Sequence, residues 1–203
     1  MKPKKRLKKQ KKMGVPSMNK NTGFTITELV VVITVTGILA AFGVPALTNR
    51  LPEYRLKKAA GELHNNLNLA RMYAVSYGAK GKLVFDTGAG QYSFSTAPGP
   101  DGFFNTGDDI KKTVSLSEYG SGVCFGTGSA TKSSTKKGGA LPGDAVSYKG
   151  NAVIFNPRGA VNMLGYVYLA NNQAGCYAVG TPTLAGIVQL KKWYKSSANW
   201  ITQ

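Results

Sequence analysis

Between Phe24 and Leu47 the chain runs through 24 residues with one ionisable side chain, Glu28. An α-helix rises ~1.5 Å per residue, so roughly 20 apolar residues cross a hydrocarbon core, and this run is long enough. Val30, Val31, Val32, Ile33, Val35, Ile38, Leu39 and Phe42 supply apolar surface, while Thr34, Thr36, Gly37, Ala40, Ala41 and Gly43 are small enough for another helix to approach closely. A carboxylate near the start of such a segment is costly in lipid and calls for a partner. Beyond Leu47 the pattern becomes amphipathic. Leu56, Ala60, Leu63, Leu67, Ala70, Ala74 and Tyr77 recur at steps of four and three, one face of a helix. Lys57, Lys58, Glu62, Asn65, Asn66, Asn68 and Arg71 fall between them and are expected to face solvent or a neighbouring subunit. Gly78 is a plausible stop. The pattern therefore predicts one helix from Phe24 to near Tyr77, its first half in a membrane and its second half packed on a globular domain, with Pro45 and Pro52 permitting bends.

Downstream the period shortens to that of strands. Lys82–Phe85 and Gln91–Phe94 flank Asp86-Thr87-Gly88-Ala89-Gly90 and predict a hairpin. Thr113–Ser117 and Gly122–Phe125 are expected to form a second pair. Ala152–Phe155 leads into the turn Asn156-Pro157-Arg158-Gly159, and Tyr166–Leu169, Cys176–Val179 and Gly186–Trp193 complete the series. Many short strands after one helix predict an α+β fold in which an antiparallel sheet packs on the helix. The Gly/Ser/Lys-rich stretch from Gly126 to Gly139 is expected to be a mobile loop.

Charge sharpens this organisation. The 203 residues carry a formal net charge of +17, but nine of the 26 Lys and Arg lie in residues 1–23. Without them the chain keeps 17 basic and nine acidic side chains, a net charge of +8. A lysine cluster ahead of a span keeps that side cytoplasmic, so the remainder is expected to face outward. The polycation from Lys2 to Lys12 also has the composition of a nucleic-acid or anionic-lipid tail, although a long leader, or a start at Met13 or Met18, accounts for it more simply. Four segments follow: a basic leader over 1–23, a membrane-spanning assembly helix over 24–47, its amphipathic continuation over 48–78, and a β-rich extracytoplasmic domain over 79–203.

The basic leader, Gly23-Phe24-Thr25, Glu28 and the apolar run together resemble the class III signal of type IV pilins and pseudopilins. An ordinary secretory signal has a shorter apolar region of ~7–15 residues, and a plain single-span anchor does not explain Glu28. The resemblance implies cleavage between Gly23 and Phe24 by a prepilin peptidase of the inner membrane, which also methylates the Phe24 amine. It implies that Glu28 pairs with the N-terminal amine of a neighbouring subunit, and Pro45 fits the family's helix-kinking proline. Ala59-Ala60 to Leu63, Leu67, Ala70-Arg71 and Ala74, the turn Phe155–Gly159 and the strand beginning at Gly186 are similar to the GspH/FimT group. That similarity implies a minor subunit of a type II secretion pseudopilus or of a type IV pilus, sitting at or near the filament tip and partnered by other pilins through the N-terminal helix.

Other residues offer further chemistry. Asp101, Asn105, Asp108 and Asp109, loosened by Gly102 and Gly107, have oxygen ligands for calcium, which related pseudopilins bind, but the spacing departs from an EF-hand loop and also suits a polar turn. No other cofactor is called for. Some minor pilins resembling this chain bind DNA through a C-terminal Gly-Arg-x-Arg stretch. Here the stretch reads Gly186-Ile187-Val188-Gln189, leaving Lys191, Lys192 and Lys195, interleaved with Trp193 and Tyr194, as candidate phosphate and base contacts. Cys124 and Cys176, the only cysteines, are a candidate disulfide outside the cytoplasm. His64 has no nucleophile or metal partner at a useful spacing and is expected at the surface. No Ser/His/Asp set, phosphate loop or metal-ligand spacing points to an enzyme.

Overall fold

The structure, a computed structural model, describes residues 23–104, 106–135 and 138–203, with the side chains at 45 and 46 set aside. Two compact units divide the chain, Met1–Gly43 and Val44–Gln203. A single helix, α1 (Ile26–Ser76), contributes to both. In the first unit the helix presents Leu29, Val30, Ile33, Ile38, Leu39 and Phe42 to the outside, each more than half exposed or close to it. It is long and apolar enough to cross a membrane.

Among the described residues, the second unit is built from the rest of α1 and nine strands: β1 (Gly81–Asp86), β2 (Gln91–Ala97), β3 (Ile110–Ser115), β4 (Cys124–Phe125), β5 (Ala152–Phe155), β6 (Gly165–Ala170), β7 (Cys176–Thr181), β8 (Gln189–Tyr194) and β9 (Asn199–Thr202). The α+β arrangement of one long N-terminal helix and antiparallel strands is the one the sequence pattern predicts. The strands, however, form two sheets, ordered β3-β2-β1-β5 and β4-β6-β7-β8-β9. The predicted helix face is buried at Leu56, Ala60, Leu63, Leu67, Ala70 and Ala74, all 2% exposed or less, and Ala59 joins them, whereas Tyr77 falls just past the helix end and is 45% exposed. They share one core with Leu83, Phe85, Tyr92, Phe94, Val153 and Phe155 of the first sheet and with Val167, Leu169, Tyr177 and Val179 of the second. The alanines let the sheet come close. A Cβ on Gly81 would stand 2.6 Å from the Ala70 carbonyl oxygen, so only glycine lets β1 begin there.

Two strand expectations are corrected, and one strand was not foreseen. The first hairpin forms as predicted, with Leu83 opposite Phe94 and Asp86 opposite Gln91, but the second does not. β3 pairs with β2, whereas β4 pairs with β6 in the other sheet. A 3₁₀ turn at Leu116–Tyr119, with Leu116 buried, and positive φ at Gly120, Ser121 and Gly122 carry the chain from one sheet to the other. The strand expected from Gly186 starts only at Gln189, because Gly186 has φ +72° and closes a turn onto the Thr183 carbonyl. β9 lacks an alternating pattern and is held to β8 with Trp200 opposite Trp193.

The stretch from Gly126 to Gly139 is a fitted cover, not a mobile loop, over its described residues. Ala130, Ser133 and Ser134 are buried. The Gly126 amide donates to the Tyr168 carbonyl and Ser129 to that of Ala174. Ser134 donates its amide to the Tyr168 hydroxyl. With Ala145 it closes a second apolar cluster on the outer face of the second sheet, made of Tyr166, Tyr168, Cys176, Ala178 and Trp193. The composition is polar because the segment satisfies buried tyrosine and backbone groups, which requires small polar side chains.

Candidate functional site

The N-terminal site is built from local helix chemistry. Gly23 and Phe24 lie in the non-helical lead-in, both exposed, and among the described residues nothing comes within 4 Å of where a Cβ on Gly23 would stand. The hydroxyl of Thr25 accepts the amide of Glu28 at 3.2 Å, and its carbonyl accepts the amide of Leu29 at 3.1 Å, so Thr25 caps the helix. Glu28 falls in the first turn, where a carboxylate faces the positive end of the helix dipole. Thr34 and Thr36 return their hydroxyls to the carbonyls of Val30 and Val32, both at 2.7 Å, which leaves the apolar flank without free donors. The result is an exposed Gly-Phe junction, one acid at the helix start, and an apolar helix that no described residue covers. Pro45 lies within α1, and its side chain lies outside the described residues.

In the second unit three segments distant in sequence meet. Arg71 Nε donates to the Gly159 carbonyl at 2.9 Å, tying α1 to the Asn156–Gly159 turn. Within the turn Asn156 Oδ1 accepts the amides of Arg158 and Ala160. Gly186 passes so close that a Cβ on it would overlap the same carbonyl. The turn thus braces helix, β5 and the approach to β8.

A polar network missed by periodicity runs along the helix. Asn66, expected on the open side, is 2% exposed and donates to the Tyr92 hydroxyl at 2.8 Å. Lys112 reaches Asn66 at 3.4 Å and Glu62 at 3.3 Å, and Tyr119 donates to Glu62 at 2.6 Å. The Tyr119 hydrogen bond, with Lys112, holds the Glu62 carboxyl below its ordinary range. Burial pushes the Tyr92 and Tyr119 phenols up, so both stay protonated. These pairings are between residues 26 and 57 positions apart, which no local pattern reveals.

The remaining candidates fare differently. Asp101, Asp108 and Asp109 occupy one loop, and Asn105 lies outside the described residues. Asp108 accepts the Thr106 hydroxyl at 2.7 Å and the Asp101 amide, which lowers its pKa, while Asp101 caps the Phe103 amide. Among the described residues no three potential metal-binding acids, histidines or cysteines converge. Lys191, Lys192 and Lys195 do not form one basic face. Lys191 donates to the Ser134 carbonyl, Lys192 pairs with Glu53 at 2.7 Å, and Lys195 is exposed beyond β8. The disulfide is also corrected: both thiols are free. Cys124 and Cys176 each pair with Ala170 from opposite sides, so β6 runs between them. With strands ~4.8 Å apart, their Cα atoms are about 10 Å apart, beyond the ~7 Å a bridge spans. Cys124 is exposed, and burial pushes the Cys176 thiol up to about 12. His64 is partly exposed on the helix flank.

A family model described as the prokaryotic N-terminal methylation motif matches residues 18–44, the segment containing Gly23, Phe24, Glu28 and the apolar flank. No curated protein and no solved structure matches the chain.

Proposed function

From a chain that carries the type IV pilin-like N-terminal methylation motif ahead of an α+β unit, we propose a minor pseudopilin of the GspH/FimT group, a structural subunit at or near the tip of a type II secretion pseudopilus. The observation that carries this reading is the coincidence, in one segment, of an exposed Gly-Phe junction, a lone acid at the helix start and an uncovered apolar helix. Each feature has a physical part in assembly. Cleavage at Gly23 frees an amine at Phe24. A helix whose apolar flank has no cover is stable in lipid, or in a bundle of like helices that supplies the same contacts. Glu28 opposite a neighbour's amine fixes the axial register of that bundle, since an unpaired carboxylate among apolar helices is strongly unfavourable. The meeting of Arg71, the Asn156–Gly159 turn and Gly186 supports the GspH/FimT assignment, because the three segments that suggested it separately form one brace.

The motif serves pili as well as pseudopili, so a minor type IV pilin is the second reading. Its DNA-uptake form has less support, since Lys192 is ion-paired with Glu53 and the three lysines do not form one basic face. Glu28→Ala is expected to leave processing at Gly23 intact and to cut co-purification with the other filament subunits at least tenfold. Unchanged co-purification of this variant would remove the register role.

A further inference from the structure

Two depressions adjoin on the outer side of the second sheet, about 570 Å³ and about 370 Å³, and Lys191 and Thr135 line both. The larger has an apolar floor of Leu164, Pro182 and the Tyr166 ring, with Gln189, Ser147 and Thr183 at its polar edge. The smaller is edged by Lys132, Ser133, Ser134 and Asn199 and walled by Trp200. No carboxylate lines either one, and among the described residues Lys191 has no acidic partner. Its ammonium group, 4.9 Å above the Tyr166 ring, uses one proton on the Ser134 carbonyl. Beneath it the Tyr166 hydroxyl and Ser134 Oγ are buried, with no hydrogen-bond partner among the described residues.

A half-buried lysine with spare donors and no counter-charge selects an anion. Flat aromatic walls and a ring of hydroxyl and amide groups suit a ligand with one apolar face and several hydroxyls. We infer that the paired depressions around Lys191 bind a sugar carrying a carboxylate, with the carboxylate on Lys191 and the ring against Trp200, the partly exposed aromatic of the pair. This stands independently of the filament reading. The sugar acid is either a free monosaccharide or a unit of an acidic polysaccharide.

The chain's two tryptophans, Trp193 and Trp200, have ring centroids 5.2 Å apart, so their fluorescence reports on the site. The full chain in detergent is titrated with galacturonate, its trimer, galactose and inorganic phosphate, and contact is read separately by saturation-transfer NMR on the sugar protons. Saturable binding of galacturonate is expected, at least tenfold tighter than galactose or phosphate and weakened at least tenfold in Lys191→Met at unchanged Tm. A trimer at least tenfold tighter than the monomer identifies a polymer as the source, and equal binding a free sugar acid. Absence of both fluorescence change and saturation transfer in the unaltered chain, or equal binding of galactose or phosphate, overturns the proposal.

Discussion

At the residue scale the informative positions are those whose neighbours overrule their chemistry. Asn66 sits on a helix flank that periodicity assigns to solvent, yet it is buried because Tyr92 of β2 needs a donor for its hydroxyl. Asn66→Ala removes that donor and leaves a buried phenol unsatisfied, which should destabilise by about 1–3 kcal/mol, measured by thermal or denaturant unfolding. Glu62 has a depressed pKa in the folded chain, so the stability it supplies is present above its unfolded value. That stability is lost as pH falls through the range below about 4.3. Glu62→Gln should therefore flatten the pH dependence of Tm in that acidic window and leave its slope near neutrality unchanged. The cysteines make a third case. Exposed Cys124 should react with a thiol reagent in the native chain, whereas Cys176, buried and held protonated, should react only after unfolding. Two-step labelling with mass detection checks this, and two unreactive thiols under native, non-reducing conditions would contradict it.

At the scale of elements, a helix with seven core positions at a regular spacing is legible from sequence because burial on one side imposes the period directly. The hairpin of β1 and β2 is legible for a similar reason, since a short connection fixes its own partner. Partner choice among distant strands is not. β4 joins β6 rather than β3 because Leu116 packs into the core and the glycine-rich turn after it redirects the chain. Nothing in two residues of strand announces that. The cover over the second sheet was hidden by its composition: serine, glycine and lysine describe a mobile loop on average, and here they satisfy Tyr168 and the backbone of β6. The Gly-Phe junction, the acid and the apolar length stand together in the sequence because they lie within one continuous segment, whereas the Thr25 cap was not read from it. The Arg71–Gly159 brace was not, as its partners are 88 residues apart.

At the scale of the molecule, the two units carry different parts of the work. The first supplies an exposed apolar helix segment long enough to cross a membrane, and the second supplies a folded body with its own core. In the proposed reading, removal of the basic segment ahead of Phe24 is the step that admits the chain to a filament, because it would create the amine that Glu28 of a neighbour pairs with. The most direct test of the account is intact-mass and N-terminal peptide mass spectrometry of the protein purified from its own host. The predicted result is a mature chain beginning at Phe24 with a methylated amine. A chain that still begins at a methionine, with no methyl group on Phe24, would contradict it.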